Sequence, residues 1–175
     1  MFRKTFDDLP ELEVRLTEKN DGKFLYKWLC EPETVRWFAM HEEREVQEAA
    51  ERWILFHQYK CSLTAVFDGV PCGIATLYLQ PYRKLSHQCQ MGIVVGEGFK
   101  NLRVGSKLMD SIIELARDHF NIEVLHLEVY GENPAIRLYK RLGFREFGRQ
   151  THFIKETGGA YVSRVMMEMY IAKKS

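Results

Sequence analysis

After Gly96 the chain changes from a run of consecutive strands to helix, strand, helix, and that change of order limits the fold more than any other feature. Ser62 to Phe67 is apolar and β-rich, Asp68-Gly69 is a two-residue hairpin signal, and Cys72 to Leu79 is its partner strand, ended by Pro81. His87 to Val95 reads as the fourth strand. From Arg103 to Phe120 the period becomes helical, with Val104, Leu108, Ile112, Leu115 and His119 in register. Glu123 to Tyr130 is a strand again, and Pro134 opens a helix to Leu142 that Gly143 closes. Arg145 to Lys155 and Ala160 to Ile171 then flank Thr157-Gly158-Gly159 as a closing hairpin. Parallel strands need a crossover as long as the Arg103–Phe120 helix, so the fourth and fifth strands are expected to lie side by side and parallel.

Upstream, Glu11 to Leu16 alternates charged residues with Leu12, Val14 and Leu16 and predicts a first strand. Asp21 is placed to cap a helix in which Phe24, Leu25, Trp28 and Leu29 share one face. Pro32 interrupts it, and Glu33 to Phe38 forms a short second piece of helix. A further helix from Glu43 to Tyr59 puts Val46, Ala50, Trp53, Ile54 and His57 on its inner stripe. The pattern predicts one α+β domain over residues 1–175, a mixed, mostly antiparallel twisted sheet of about seven strands flanked by helices.

Charge narrows the function. The formal net charge is +1, so no global field holds nucleic acid or an anionic membrane, and neither is expected as a partner. No apolar run approaches the roughly 20 residues that cross a bilayer. The N-terminus places acidic residues where a signal peptide needs an apolar stretch, which predicts a cytoplasmic protein. The four cysteines, Cys30, Cys61, Cys72 and Cys89, make no CxxC pair, so no metal is expected and small buried hydrophobes are the reading for them. There is no GxxxxGK[ST] and no GxGxxG, which argues against a nucleotide-hydrolysing enzyme.

An anion site is nonetheless legible between Met91 and Leu108. A buried strand runs into a loop, and the loop into a helix N-terminus, whose unpaired N–H groups and partial positive charge attract anions. Lys100, Arg103 and Lys107 add full charges, Gly105 lets a phosphate approach the backbone, and Ser106 offers a hydroxyl. An ordinary basic surface helix accounts for the same residues.

Here the chain resembles the GNAT superfamily of acetyl-coenzyme A-dependent N-acetyltransferases. Lys100-Asn101-Leu102-Arg103-Val104-Gly105 is similar to the family's Gln/Arg-x-x-Gly-x-Gly/Ala signature, with Arg103 in place of the first glycine. Leu127 to Phe144 resembles its N-x-x-A-x-x-L-Y-x-x-L-G-F element through Asn133, Ala135, Leu138, Tyr139, Leu142, Gly143 and Phe144. Phe24 to Phe38 is similar to the branch containing ribosomal-protein N-terminal and aminoglycoside acetyltransferases.

The resemblance implies a fold whose fourth and fifth strands splay to admit the arm of acetyl-coenzyme A, a cosubstrate. Ile93, Val94 and Val95 would pair with its pantetheine amides, and Asn133 would reach the same arm. Lys100, Asn101, Leu102, Arg103, Val104, Gly105 and Ser106 would hold the pyrophosphate, with no metal. Tyr139 matches the family's acid, donating a proton to the departing thiolate, and a backbone N–H near Val94 would face the oxyanion. Gln90 stands where many relatives carry a glutamate base; Glu128, His126 and His87 remain open, as does an acceptor that arrives deprotonated. Trp37, Phe38, Tyr78, Tyr82 and Glu128 are candidates for the acceptor site. The expected acceptor is a small-molecule amine or a peptide N-terminus, in a monomer or homodimer. The acidic run Glu42-Glu43-Arg44-Glu45 is either a solvated face or a lure for a cationic acceptor such as a polyamine. A catalytically idle acyl-coenzyme A sensor is the alternative reading.

Overall fold

A computed structural model describes residues 12–172. Seven strands form one mixed sheet: β1 (Leu12–Leu16), β2 (Ser62–Phe67), β3 (Val70–Tyr78), β4 (Gln88–Val95), β5 (Val124–Tyr130), β6 (Arg145–Lys155) and β7 (Tyr161–Tyr170). Their spatial order is β1-β2-β3-β4-β5-β7-β6. Helices α1 (Gly22–Leu29), α2 (Pro32–Val35) and α3 (Glu43–Ile54) precede the meander; α4 (Val104–Asp118) joins β4 to β5, and α5 (Ile136–Leu142) joins β5 to β6. The sole parallel pair among the described residues is β4 with β5, as the crossover demands.

That pair is short. Gln88, Cys89 and Gln90 stand opposite Val124, Leu125 and His126, and there the pairing stops, although β4 continues to Val95 and β5 to Tyr130. Beyond Gln90 the two strands diverge, leaving the β5-side edge of β4 without a strand neighbour.

Alternation along the strands divides the core into two layers. On one face Ala75, Leu77, Cys89, Met91, Leu125 and Leu127 pack against Val104, Leu108, Met109, Ile112 and Ala116 of α4. On the other, Ile74 and Val94 meet Leu25, Trp28 and Leu29 of α1 and Val46, Ala50 and Trp53 of α3. Ala116 takes the inner place expected of His119, which is exposed.

Several boundaries move for local reasons. Pro32 begins α2 rather than interrupting a helix, since its missing N–H costs nothing at a first turn. Pro134 lies before α5, which begins at Ile136. The helix expected to reach Tyr59 tightens to 3₁₀ geometry from Leu55, and Lys60 closes it in the left-handed region. β3 begins two residues earlier than expected, at Val70. Of the cysteines, Cys61, Cys72 and Cys89 are buried and Cys30 is exposed. Burial pushes the Cys61 and Cys72 thiols up to about 11 and Cys89 to about 12, which disfavours the thiolate a nucleophile needs. The first strand is described from Leu12; Glu11 lies outside the described residues.

Asp21 does not cap α1 with its side chain. Its carboxylate instead accepts from Arg15 Nη1 at 2.8 Å, Arg15 Nη2 at 2.9 Å, the Glu18 N–H at 2.9 Å and the Thr64 hydroxyl at 2.8 Å. Burial pushes this carboxyl up, but the Arg15, Glu18 and Thr64 donors outweigh it and hold it below the usual carboxylate range. Asp21→Asn is expected to destabilise the fold by about 2 kcal/mol, less than a fully buried pair because the Arg15 side chain is 34% exposed. A depressed carboxyl stabilises above its unfolded value of about 4 and stops doing so as the pH falls through its folded value. Urea titrations should therefore show a gap between wild type and Asp21→Asn at pH 7 that narrows towards pH 2.

Candidate active site

The divergence of β4 from β5 opens two cavities that meet at Trp37, Phe38, Met91, Gly92, Glu128 and Val129. One, of about 670 Å³, runs towards the start of α4; the other, of about 400 Å³, lies under α3.

The larger cleft begins along the open edge of β4, where Ile93, Val94 and Val95 line it. At its far end Lys100, Asn101, Arg103, Val104, Gly105 and Ser106 form the mouth of α4. The first bond inside that helix runs from the Lys107 N–H to the Arg103 carbonyl at 3.0 Å, so the amides of Val104, Gly105 and Ser106 have no acceptor within it. Leu102 does not line the cleft and is 43% exposed; Lys107 does not reach it either. Lys100 is paired with Glu97.

Arg103 explains its own unusual identity. Its φ is +64°, as is that of Asn101, so the backbone here sits in the left-handed region that glycine enters freely and arginine at a cost of about 1 kcal/mol. Arg103 lines the cleft instead of being excluded from it. Arg141, from α5, adds a charge that sequence reasoning missed; it lies three residues after Leu138, on the helix face that already bore the motif.

Gly105 tests whether a diphosphate fits. A Cβ there would come no closer than 3.6 Å to Leu138 and 3.9 Å to Val95. Protein packing therefore does not require glycine; the space it leaves belongs to the cleft. Asn133 has a local duty, since its Oδ1 accepts the Ala135 N–H at 2.9 Å before α5, which leaves its amide N–H groups to face the cleft it lines. Tyr139 is 7% exposed and lines the same cleft. Its hydroxyl has no partner among the described residues yet is not a sealed atom, and burial pushes its pKa up to about 12, so the phenol keeps its proton.

The smaller cavity is built on the opposite face of the sheet from α4. Cross-strand register brings Tyr78 beside Gln90 and Thr76 beside Gly92, and Tyr130 beside Arg164. Gly92 makes room for the ring of Tyr78: a Cβ there would lie 2.7 Å from the Tyr78 hydroxyl and 3.3 Å from the Trp53 ring, so any larger residue would displace Tyr78. Trp53 is fixed in turn: its indole N–H donates to Thr76 Oγ1 at 2.8 Å, and Thr76 belongs to a line of buried hydroxyls through Ser62, Thr17 and Thr64 that ends at Asp21.

Trp37, Phe38, Tyr78 and Glu128 all reach this cavity; Tyr82, 70% exposed, does not. Among the described residues Glu128 is the sole acidic side chain lining either cavity, and it accepts from Arg164 Nη1 at 2.6 Å. His126 is engaged with Gln88 at 2.6 Å, has its pKa lowered by burial, and lines neither cavity; His87 is exposed. Arg52, Tyr130, Phe153 and Arg164 line the cavity without having been singled out from the sequence. Among the described residues no cluster of three His, Cys, Asp or Glu could hold a metal ion, and no helix is long and apolar enough to cross a membrane.

Known proteins are similar to this chain in sequence or in fold. A family model described as the acetyltransferase (GNAT) family matches residues 22–144. An L-amino acid N-acetyltransferase of Escherichia coli is 34% identical over 103 residues, 58% of this chain and 59% of that one. An N-alpha-acetyltransferase of Sulfolobus acidocaldarius is 36% identical over 73 residues, 41% of this chain and 44% of that one. The match thus spans about half the length of these curated relatives. The structure of yncA from Salmonella typhimurium with its cofactor acetyl-CoA superposes with a TM-score of 0.76 at 17% identity, over 94% of this chain and 96% of the other.

Proposed function

Since the chain belongs to the acetyltransferase (GNAT) family, we propose that it transfers the acetyl group of acetyl-coenzyme A to a primary amine, with the cofactor in the larger cleft and the acceptor in the smaller. The observation that carries this is the meeting of the two cavities at the strand divergence, beside Met91, Gly92, Glu128 and Val129. The cosubstrate supplies the acyl group: the amine nitrogen bonds to the thioester carbonyl carbon, the C–S bond breaks, and an amide and a free thiol result.

The chain's own groups divide that work. The free amides of Val104, Gly105 and Ser106, with Arg103, Lys100 and Arg141, hold the diphosphate, a use of a helix N-terminus that suits its charge. The open edge at Ile93, Val94 and Val95 offers backbone groups to the pantetheine amides as a strand edge offers them to a peptide. Asn133 reaches that arm with its amide. Glu128, at the junction, takes the proton that the amine gives up, directly or through water. Tyr139 donates a proton to the sulfur. An L-amino acid, the acceptor in the name of one curated relative, and an α-amino group, to which the name of the other points, each provide the required amine.

Calorimetry with acetyl-coenzyme A and thiol release with a panel of amines test this reading. Micromolar association and amine-dependent thiol release are expected. Absence of association, or association without release for every amine, overturns it.

A further inference from the structure

Trp53 is held in the wall of the smaller cavity by a polar contact as well as by packing. It stands on α3, is 8% exposed, and lines that cavity beside Phe38 and Tyr78, whose ring centroids lie 6.1 Å and 6.5 Å away. Its indole N–H donates to Thr76 Oγ1 at 2.8 Å, and a Cβ on Gly92 would lie 3.3 Å from its Cζ2. Nε1 and Cζ2 are bonded to the same ring carbon, and Thr76 and Gly92 are register partners on β3 and β4. One edge of the indole therefore rests on that pair. Gly92 lines both cavities, so this edge borders the place where they meet.

Thr76 is arranged to receive the N–H. Its oxygen lies 2.6 Å from Ser62 Oγ, the hydroxyl of its register partner on β2. An indole N–H can only donate, whereas a hydroxyl has one proton and two lone pairs. The Thr76 proton is thus left for the contact with Ser62 while a lone pair faces Trp53. From Ser62 the line of hydroxyls continues to Thr17 at 3.0 Å and on to Thr64 at 3.0 Å, and it ends on the Asp21 carboxylate. Thr76, Ser62, Thr17 and Thr64 are all buried, so no solvent stands ready to replace a missing member.

Without the Thr76 oxygen, the indole N–H would be a buried donor with no acceptor, an unfavourable state. Its nearest relief is water in the cavity that the ring already lines, and a ring turned that way takes up room needed by the acceptor. Thr76 itself lines neither cavity. We infer that Thr76 is a positioning residue for the acceptor, acting through Trp53: its hydroxyl keeps the indole in the wall, and the held ring is the surface against which the acceptor packs beside Gly92. This rests on the N-acetyltransferase reading and adds to it what keeps the acceptor's cavity in shape.

Thiol release from acetyl-coenzyme A tests it, with L-phenylalanine, phenethylamine, an alanyl peptide and spermidine as acceptors. Thr76→Val replaces the hydroxyl by a methyl group. For the best acceptor of the four it should raise KM about tenfold, as loss of one buried hydrogen bond predicts, with kcat and acetyl-coenzyme A affinity within about twofold of wild type. Thr76→Ser keeps the oxygen and should restore KM to within about twofold of wild type. Trp53→Phe should raise KM about as much as Thr76→Val does. Adding Thr76→Val to Trp53→Phe should then change KM less than about twofold, because no N–H remains to be held. Thermal midpoints show whether each variant folds, and Trp53→Phe, which leaves every hydroxyl in place, decides the matter if Thr76→Val does not. A wild-type KM in Thr76→Val or in Trp53→Phe, a serine variant as impaired as the valine one, or a valine effect undiminished in the Trp53→Phe background overturns the inference and leaves the transferase reading standing. Acetyl-coenzyme A binding with no thiol release for any of the four acceptors overturns that reading and the inference with it.

Discussion

Tyr139→Phe is expected to lower kcat by about 100-fold or more while the affinity for acetyl-coenzyme A stays near wild type. The residue is 7% exposed, yet its hydroxyl has no partner among the described residues, so its removal breaks no hydrogen bond there. The ring, which packs edge-on against Phe144 with centroids 6.0 Å apart, remains in the variant. Stability should therefore change little, and a fall in rate is a fall in chemistry. Affinity should hold because the contacts proposed for the diphosphate lie at the mouth of α4, away from this hydroxyl. Burial raises the phenol to about 12, so it stays protonated below that pH and loses its proton only above it. As a proton donor it contributes no limb to the rate profile between pH 6 and pH 9. Single-turnover rates and calorimetry on both proteins decide the matter; wild-type rates in the variant would remove Tyr139 from the mechanism.

The parallel β4–β5 pair was readable from sequence because its cause is local, a helix-length crossover between two apolar strands. So was the mouth of α4, where glycine, cations and a strand-to-helix turn are adjacent in the chain. The smaller cavity was only half legible. Trp37, Phe38, Tyr78 and Glu128, singled out from the sequence, line it, but Tyr130 and Arg164 come together through a register between β5 and β7 that no short-range pattern carries. Asp21 was misread for a related reason. A carboxylate before a helix looks like a cap, whereas its partner Thr64 is 43 residues away. Arg103 was ambiguous in sequence because its cost is conformational, a positive φ that no residue pattern announces.

Gly105 separates folding from cofactor binding more cleanly than any other position, because substitutions there should move the two in opposite directions. Its φ lies outside the left-handed region, and a methyl group would make only ordinary contacts with Leu138 and Val95. In the first turn of α4, alanine should leave the fold as stable or up to about 1 kcal/mol more so. Yet that methyl would occupy space beside amides with no acceptor of their own, so acetyl-coenzyme A should bind more weakly. Gly105→Glu extends the contrast. The longer side chain has the cleft to enter, and it brings a negative charge where a diphosphate would sit. The expected loss of affinity is about 100-fold, or about 2.7 kcal/mol, with a secondary structure content and thermal midpoint close to wild type. Raising the salt should recover part of the loss if repulsion causes it, and none if bulk alone does, because only the electrostatic component is screened. A Gly105→Glu protein that binds acetyl-coenzyme A with wild-type affinity would mean that the diphosphate is held away from α4, and the division of the two cavities between cofactor and acceptor would fail with it.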